Sequence, residues 1–159
     1  MKRPIAIGAA ALAWLGLAAQ AQAWSFRPIG GGGTAGGYVA TGLMTVAKGS
    51  LVLHCTARFA GVTDPAGGAR ITSVAFTGGL CSSISAVGLP WIVTPTGPNA
   101  ATIVKVKVKA SLAGGCGPGD VPATIGPTGV ITLNNVTVAP DCTIKGSVAT
   151  NPPVTIVNP

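Results

Sequence analysis

The chain contains no glutamate, one histidine and three aspartates in 159 residues. Triad hydrolysis needs a nucleophile, a base and an orienting acid in mutual reach. His54 is the sole candidate base, and no Gly-x-Ser-x-Gly elbow accompanies any serine. Glycoside cleavage by paired carboxylates needs two acids flanking one bond. Asp64, Asp120 and Asp141 instead each adjoin Pro or Gly, in turn contexts where Asp serves the backbone. Calcium would need clustered oxygen ligands, and zinc would need close pairs such as Cys-x-x-Cys; neither occurs. No catalytic residue, metal ligand or cofactor is therefore read from the chain, and a hydrolase is the weakest alternative.

Charge is scarce as well, at 8% of residues, with a net +7 that falls to +5 if Lys2 and Arg3 are removed. Nucleic-acid binders cluster far more Lys and Arg on one face, which excludes that class. Residues 1–23 carry the marks of a cleaved signal peptide: Lys2 and Arg3, an apolar stretch over residues 5–19, and Ala21-Gln22-Ala23 before Trp24. Gln20 and Gln22 interrupt that stretch too early for a membrane anchor, and no later run is long and apolar enough to span a bilayer as a helix. The expected location is secreted: extracellular, at the cell surface or periplasmic.

What is abundant is glycine, with 24 residues, and proline, with 13, a share that on composition alone suggests disorder. Val/Ile/Thr runs of alternating character argue against it, because a disordered chain has no reason to keep them. The clearest is Leu51 to Phe59, with Leu51, Leu53, Cys55, Ala57 and Phe59 on one side and His54, Thr56 and Arg58 on the other. Further strands are expected over 38–46, 70–77, 85–93, 101–112, 130–138, 142–149 and 154–157. Residues 114–129 read as a long loop, and Pro90 belongs on an edge or at a bulge. Short strands separated by turn chemistry predict an all-β, single-domain antiparallel β-sandwich or Greek-key barrel over residues 38–159. Residues 24–37 form an N-terminal arm and a Gly-rich linker before it.

Within 103–109, the alternation predicts three valines facing the core and Lys105, Lys107 and Lys109 aligned outward. That row suits contact with an anionic surface or polymer, although a solvated face that discourages edge pairing is the plainer reading. A weak echo links Ile71-Thr72-Ser73-Val74, ending at Cys81, with Ile131-Thr132-Leu133-Asn134, ending at Cys142. Cys55, Cys81, Cys116 and Cys142 make an even count in an exported chain, which predicts two disulfides. Three connectivities are open; Cys55 with Cys81 and Cys116 with Cys142 is favoured, since each joins neighbouring segments across similar loops.

Several segments together resemble the small exported activators of alkane oxidation, the PraB-like group of Pseudomonas-type bacteria. They are Leu51-Val52-Leu53-His54-Cys55-Thr56-Ala57-Arg58-Phe59, Ile71-Thr72-Ser73-Val74-Ala75-Phe76-Thr77-Gly78-Gly79-Leu80-Cys81, Gly88-Leu89-Pro90-Trp91, Gly115-Cys116-Gly117-Pro118-Gly119 and Cys142-Thr143-Ile144-Lys145-Gly146-Ser147. The resemblance covers about Tyr38 to Val157. It implies an exported, non-enzymatic accessory protein linked to growth on water-insoluble hydrocarbons and to the cell surface or biofilm. From composition, 48% hydrophobic and little charged, the first expectation is contact with hydrophobic surfaces or anionic matrix polymer. The second is a self-assembling fibre subunit, in which the arm carrying Trp24, Phe26 and Ile29 completes a neighbour's sheet as a donor strand. An arm folded back on its own domain stands against that.

Overall fold

Most residues between Gly36 and Asn151 belong to one antiparallel wall. The computed structural model describes residues 23–30 and 35–158; the expected signal peptide up to Gln22 and linker residues 31–34 lie outside the described residues. The strands are β1 (Ser25–Pro28), β2 (Gly36–Lys48), β3 (Leu51–Thr63), β4 (Ala69–Thr77), β5 (Ile84–Ala86), β6 (Trp91–Gly97), β7 (Ala100–Ala110), β8 (Gly114–Ile125), β9 (Val130–Val138), β10 (Cys142–Asn151) and β11 (Val154–Val157). A short 3₁₀ turn, Gly79–Ser83, precedes β5.

The sheet closes on itself. Running β7-β6-β4-β3-β2-β10-β9-β8 and back to β7, eight strands form a barrel. Apart from short β5, which extends β6's side of β7, each wall strand pairs with its nearest wall neighbour in sequence, and the β2–β10 ladder joins the two ends. The architecture is thus an up-and-down barrel, correcting the expected β-sandwich or Greek-key barrel. Alternation along a strand is the same in all three, and only pairing order tells them apart. Turns such as Gly49-Ser50 between β2 and β3 are too short to send a strand anywhere but alongside its predecessor.

The wall has its apolar face inside. Met44, Cys55, Ala57, Ile71, Val121, Val136 and Val148 are buried, whereas Thr41, Thr56, Thr124, Thr137 and Ser147 face outward and are exposed. Barrels that span outer membranes show the opposite order, apolar outside and polar inside. Two close approaches bring β2 and β10 together: a Cβ at Gly42 would strike the Ser147 carbonyl, and one at Gly146 the Leu43 carbonyl. Glycine there lets the closing ladder coil tightly.

Three sequence expectations fail locally. Of residues 114–129, read as a loop, Gly114–Ile125 form β8 and only the last four are a turn, because β7 needs an outer partner and Val121, Ala123 and Ile125 alternate inward beneath the prolines. The run 85–93 is cut into β5 and β6, with Pro90 in the connection. The expected three inward valines of β7 become two: a bulge at Lys105, at φ 54, flips the phase, so Val106 and Val108 are buried while Val104 lies opposite exposed Ile92.

One end of the barrel is covered by β1 and β11, which pair with each other from Ser25↔Val157 to Pro28↔Val154. The other end holds the Gly79–Ser83 turn and both disulfides. Cys55–Cys81 runs from β3 to just beyond β4, and Cys116–Cys142 from β8 to just beyond β9, each with a separation of 26. The two members of the weak sequence echo thus each lead to a disulfide, one ending in the 3₁₀ turn at Cys81 and the other at Cys142, the first residue of β10.

Candidate functional site

Apolar side chains are gathered in the barrel's interior and at its disulfide end, while Leu43, 74% exposed, stands apart on the outer wall of β2 opposite Thr56 and Ser147. Three cavities follow one another inside. The first, of about 50 Å³, lies against Phe26, Tyr38 and Val154 near the strand-covered end. The second, of about 40 Å³, lies among Phe76, Trp91 and Val121. The third, of about 20 Å³, reaches Cys116 beneath the opposite end. Their walls are held by specific contacts. Phe59 and Phe76 meet edge to face at 6.3 Å, and Trp91 Nε1 donates to the Val87 carbonyl at 3.0 Å. Burial pushes the Tyr38 phenol up to about 12. Thr150 Oγ1 donates to the Gly129 carbonyl and accepts from the Val154 N–H, both at 2.9 Å.

At the disulfide end, large apolar side chains point into solvent. Leu112 is 64% exposed, and Leu80 and Val52 are each 52% exposed. Leu80 sits in the 3₁₀ turn beside Cys81, and Ser83 Oγ donates to its carbonyl at 2.7 Å. Ser111 N–H in turn donates to the Ser83 carbonyl, which brings the Leu112 turn against the same segment. Val52 is the second residue of β3, three residues before the cysteine that binds Cys81. These residues form an apolar tip. Leu80 falls in a break between expected strands, and Leu112 closes an expected strand, 101–112, that ends at Ala110 in the structure, so reading the sequence for strands marks neither as exposed.

Of the residues singled out in the sequence, Lys105 is exposed at its bulge, where its N–H donates to Asp120 Oδ1 at 2.9 Å. Lys109 is exposed and Lys107 half-buried, both on the stretch of β7 that runs to the tip. Trp24, Phe26 and Ile29 are dispersed by burial: Phe26 is in the core, Trp24 packs against it, and Ile29 is exposed. Their strand pairs with β11 of its own chain. The three carboxylates serve three separate pieces of backbone or wall. Asp64 accepts from the Gly68 N–H at 3.2 Å, Asp120 secures the bulge, and Asp141 pairs with Lys48 at 2.8 Å. His54 is exposed, with Nδ1 3.1 Å from Thr45 Oγ1. Among the described residues, no group of three or more His, Cys, Asp or Glu stands close enough to hold a metal ion, and no helix is long and apolar enough to cross a membrane.

Comparison with curated proteins and with solved structures returns no match. The model of one family does match, over residues 1–158. Its description agrees with the family that the sequence segments resemble. The chain belongs to the alkane oxidation protein activator PraA/PraB-like family.

Proposed function

We propose that the mature protein is an exported, non-enzymatic accessory factor that attaches to water-insoluble hydrocarbon through its apolar tip, at the cell surface or in the biofilm matrix. The observation that carries this reading is the gathering of Val52, Leu80 and Leu112, all more than half exposed, at one end of the barrel. Singly exposed apolar side chains are ordinary; a group of them at one end is the kind of feature that marks an interaction surface. Two disulfides suit an oxidising compartment outside the cytosol. They also hold the tip's backbone in place at an interface that tends to unfold proteins. Membership of an alkane-oxidation activator family supplies the substrate class. Lys107 and Lys109, approaching the same end, suit anionic matrix polymer beside the hydrocarbon.

The test is adsorption of the oxidised protein to a hexadecane droplet in water, followed by interfacial tension. Wild type lowers the tension, and the Leu80→Ser, Leu112→Ser double variant loses most of the effect. Both residues are exposed, so stability should change by no more than about 0.5 kcal/mol per site. A double variant that adsorbs like wild type overturns the tip reading.

A further inference from the structure

We infer that the barrel interior is a binding site for a short unbranched hydrocarbon that carries no polar head. This rests on the reading that the protein handles hydrocarbon, but it concerns the inside of the wall and not the tip. Eight-stranded barrels are wide enough inside either to be filled by side chains or to hold one small ligand. This one lies between those cases. The cavities of about 50 and about 40 Å³ share Met44, Phe59, Ile103 and Leu133 in their walls. The third, of about 20 Å³, shares Val46, Ile84 and Val108 with the second. Single layers of side chains thus separate each space from the next, in a line from Phe26 to Cys116. Met44, unbranched and with three rotatable bonds, is the most easily displaced of the shared residues.

The chemistry of the lining sets the ligand class. Around the middle cavity every side chain is apolar. Around the first, the polar side chains are Tyr38 and Thr150. The Thr150 hydroxyl is engaged both as donor and as acceptor. The phenol, raised to about 12 by burial, is neutral and offers no charge. Lys48 borders only the third cavity, and its ammonium is committed to Asp141 at 2.8 Å and to the Gly115 carbonyl at 2.9 Å. A carboxylate or phosphate head drawn into the line would lose its water and find no cation, which is strongly unfavourable. A saturated chain loses nothing, and an apolar cavity of this kind stays dry until an apolar guest fills it. Length is limited by volume. An apolar cavity that holds benzene measures about 150 Å³, and the spaces of about 50 and about 40 Å³ are each smaller and lie apart. A six-carbon chain such as hexane therefore enters only as the shared side chains, Met44 first, move aside and join the two.

The experiment exposes the oxidised protein to n-hexane through the vapour phase, with sodium hexanoate at matched concentration as control. Thermal midpoint and Trp91 emission are followed, since Trp91 is buried on the wall of the middle cavity. Hexane is expected to raise the midpoint by several degrees with saturation and to shift the emission; hexanoate is expected to do neither. Ala101→Leu and Ala123→Leu, which project into the first cavity, should each remove the hexane response. Should both fail to fold, NMR of wild type with ¹³C-hexane decides, through contacts to the Met44 methyl and to Val121. Contacts confined to Leu80 and Leu112, a response without saturation, or an equal response to hexanoate overturns the inference. A missing interior response with droplet adsorption intact defeats this site and leaves the tip reading standing; lost adsorption with a saturable hexane response does the reverse.

Discussion

Tyr38 shows how one residue shapes its surroundings. Its ring lies over Gly61, where an added Cβ would come within 2.6 Å of the phenol oxygen, so the glycine clears the space that the aromatic fills. Burial raises the phenol to about 12 from 10.0, and the sign of the effect on stability follows. Between those values the unfolded chain loses the proton first, so the folded state binds more protons and stability falls as pH rises; below pH 10 the contribution is fully present. Its full size is roughly 2–3 kcal/mol. Denaturant unfolding at pH 9 and at pH 11.5 should show the loss, and Tyr38→Phe should flatten it; a variant with the same alkaline decline rules out Tyr38 as its source. A second residue-scale expectation concerns Asp120. Asp120→Ala leaves the Lys105 N–H at the bulge without its charged acceptor, and should lower unfolding free energy by roughly 1–2 kcal/mol. Legibility at this scale divides by distance along the chain. Asp64 bonding Gly68 four residues on could be read from Asp-Pro-x-Gly chemistry. The bulge at Lys105 could not, because its partner lies fifteen residues away on another strand.

Among the elements, β3 was legible from Leu51 to Phe59 because its partners β2 and β4 leave it one dry and one wet face; residues 60–63 lie beyond the end of the expected strand and across the register shift at Ala60/Gly61. β8 was not legible. Pro118, Pro122 and four glycines mask the inward Val121, Ala123 and Ile125, and what makes the segment a strand is the free edge of β7. The same prolines lack N–H donors, and the β8–β9 register holds only Thr124↔Thr132 and Ile125↔Ile131. Amide exchange should therefore be faster in residues 133–137 on that side than along the β2–β3 ladder, which runs unbroken from Gly36↔Thr63 to Lys48↔Leu51. Uniform protection across both would show that this side of the wall is closed by contacts other than a ladder. The two staples close loops of equal length. With a separation of 26 residues each, either bond should contribute about 3.5 kcal/mol in the chain-entropy account. Reduction and alkylation should lower the thermal midpoint clearly, and Cys55→Ala/Cys81→Ala should cost about as much as Cys116→Ala/Cys142→Ala.

For the whole molecule, the two ends of the barrel do opposite things: one offers apolar side chains to solvent, the other is shut by β1 and β11 of the same chain. In β1 the Phe26 side chain is 2% exposed, inserted beside Val154 at the mouth of the first cavity. The strand's neighbours are also its own: Phe26 N–H donates to the Gly67 carbonyl at 2.9 Å, and Ile29 N–H to the Pro153 carbonyl at 2.6 Å. The sequence left open whether the arm folds on its own domain or on a neighbour, because nothing in an isolated strand specifies which copy of β11 it joins. If the contact is made within one molecule, Phe26→Ala removes a buried ring without changing assembly. The loss should be about 3–5 kcal/mol, a fall in midpoint of roughly 10–20 °C for a domain of this size. The wild-type midpoint should then be the same at every protein concentration. A wild-type midpoint that climbs with concentration, and loses that dependence when residues 24–33 are removed, would mean that β1 completes a neighbouring barrel, as a donor strand must.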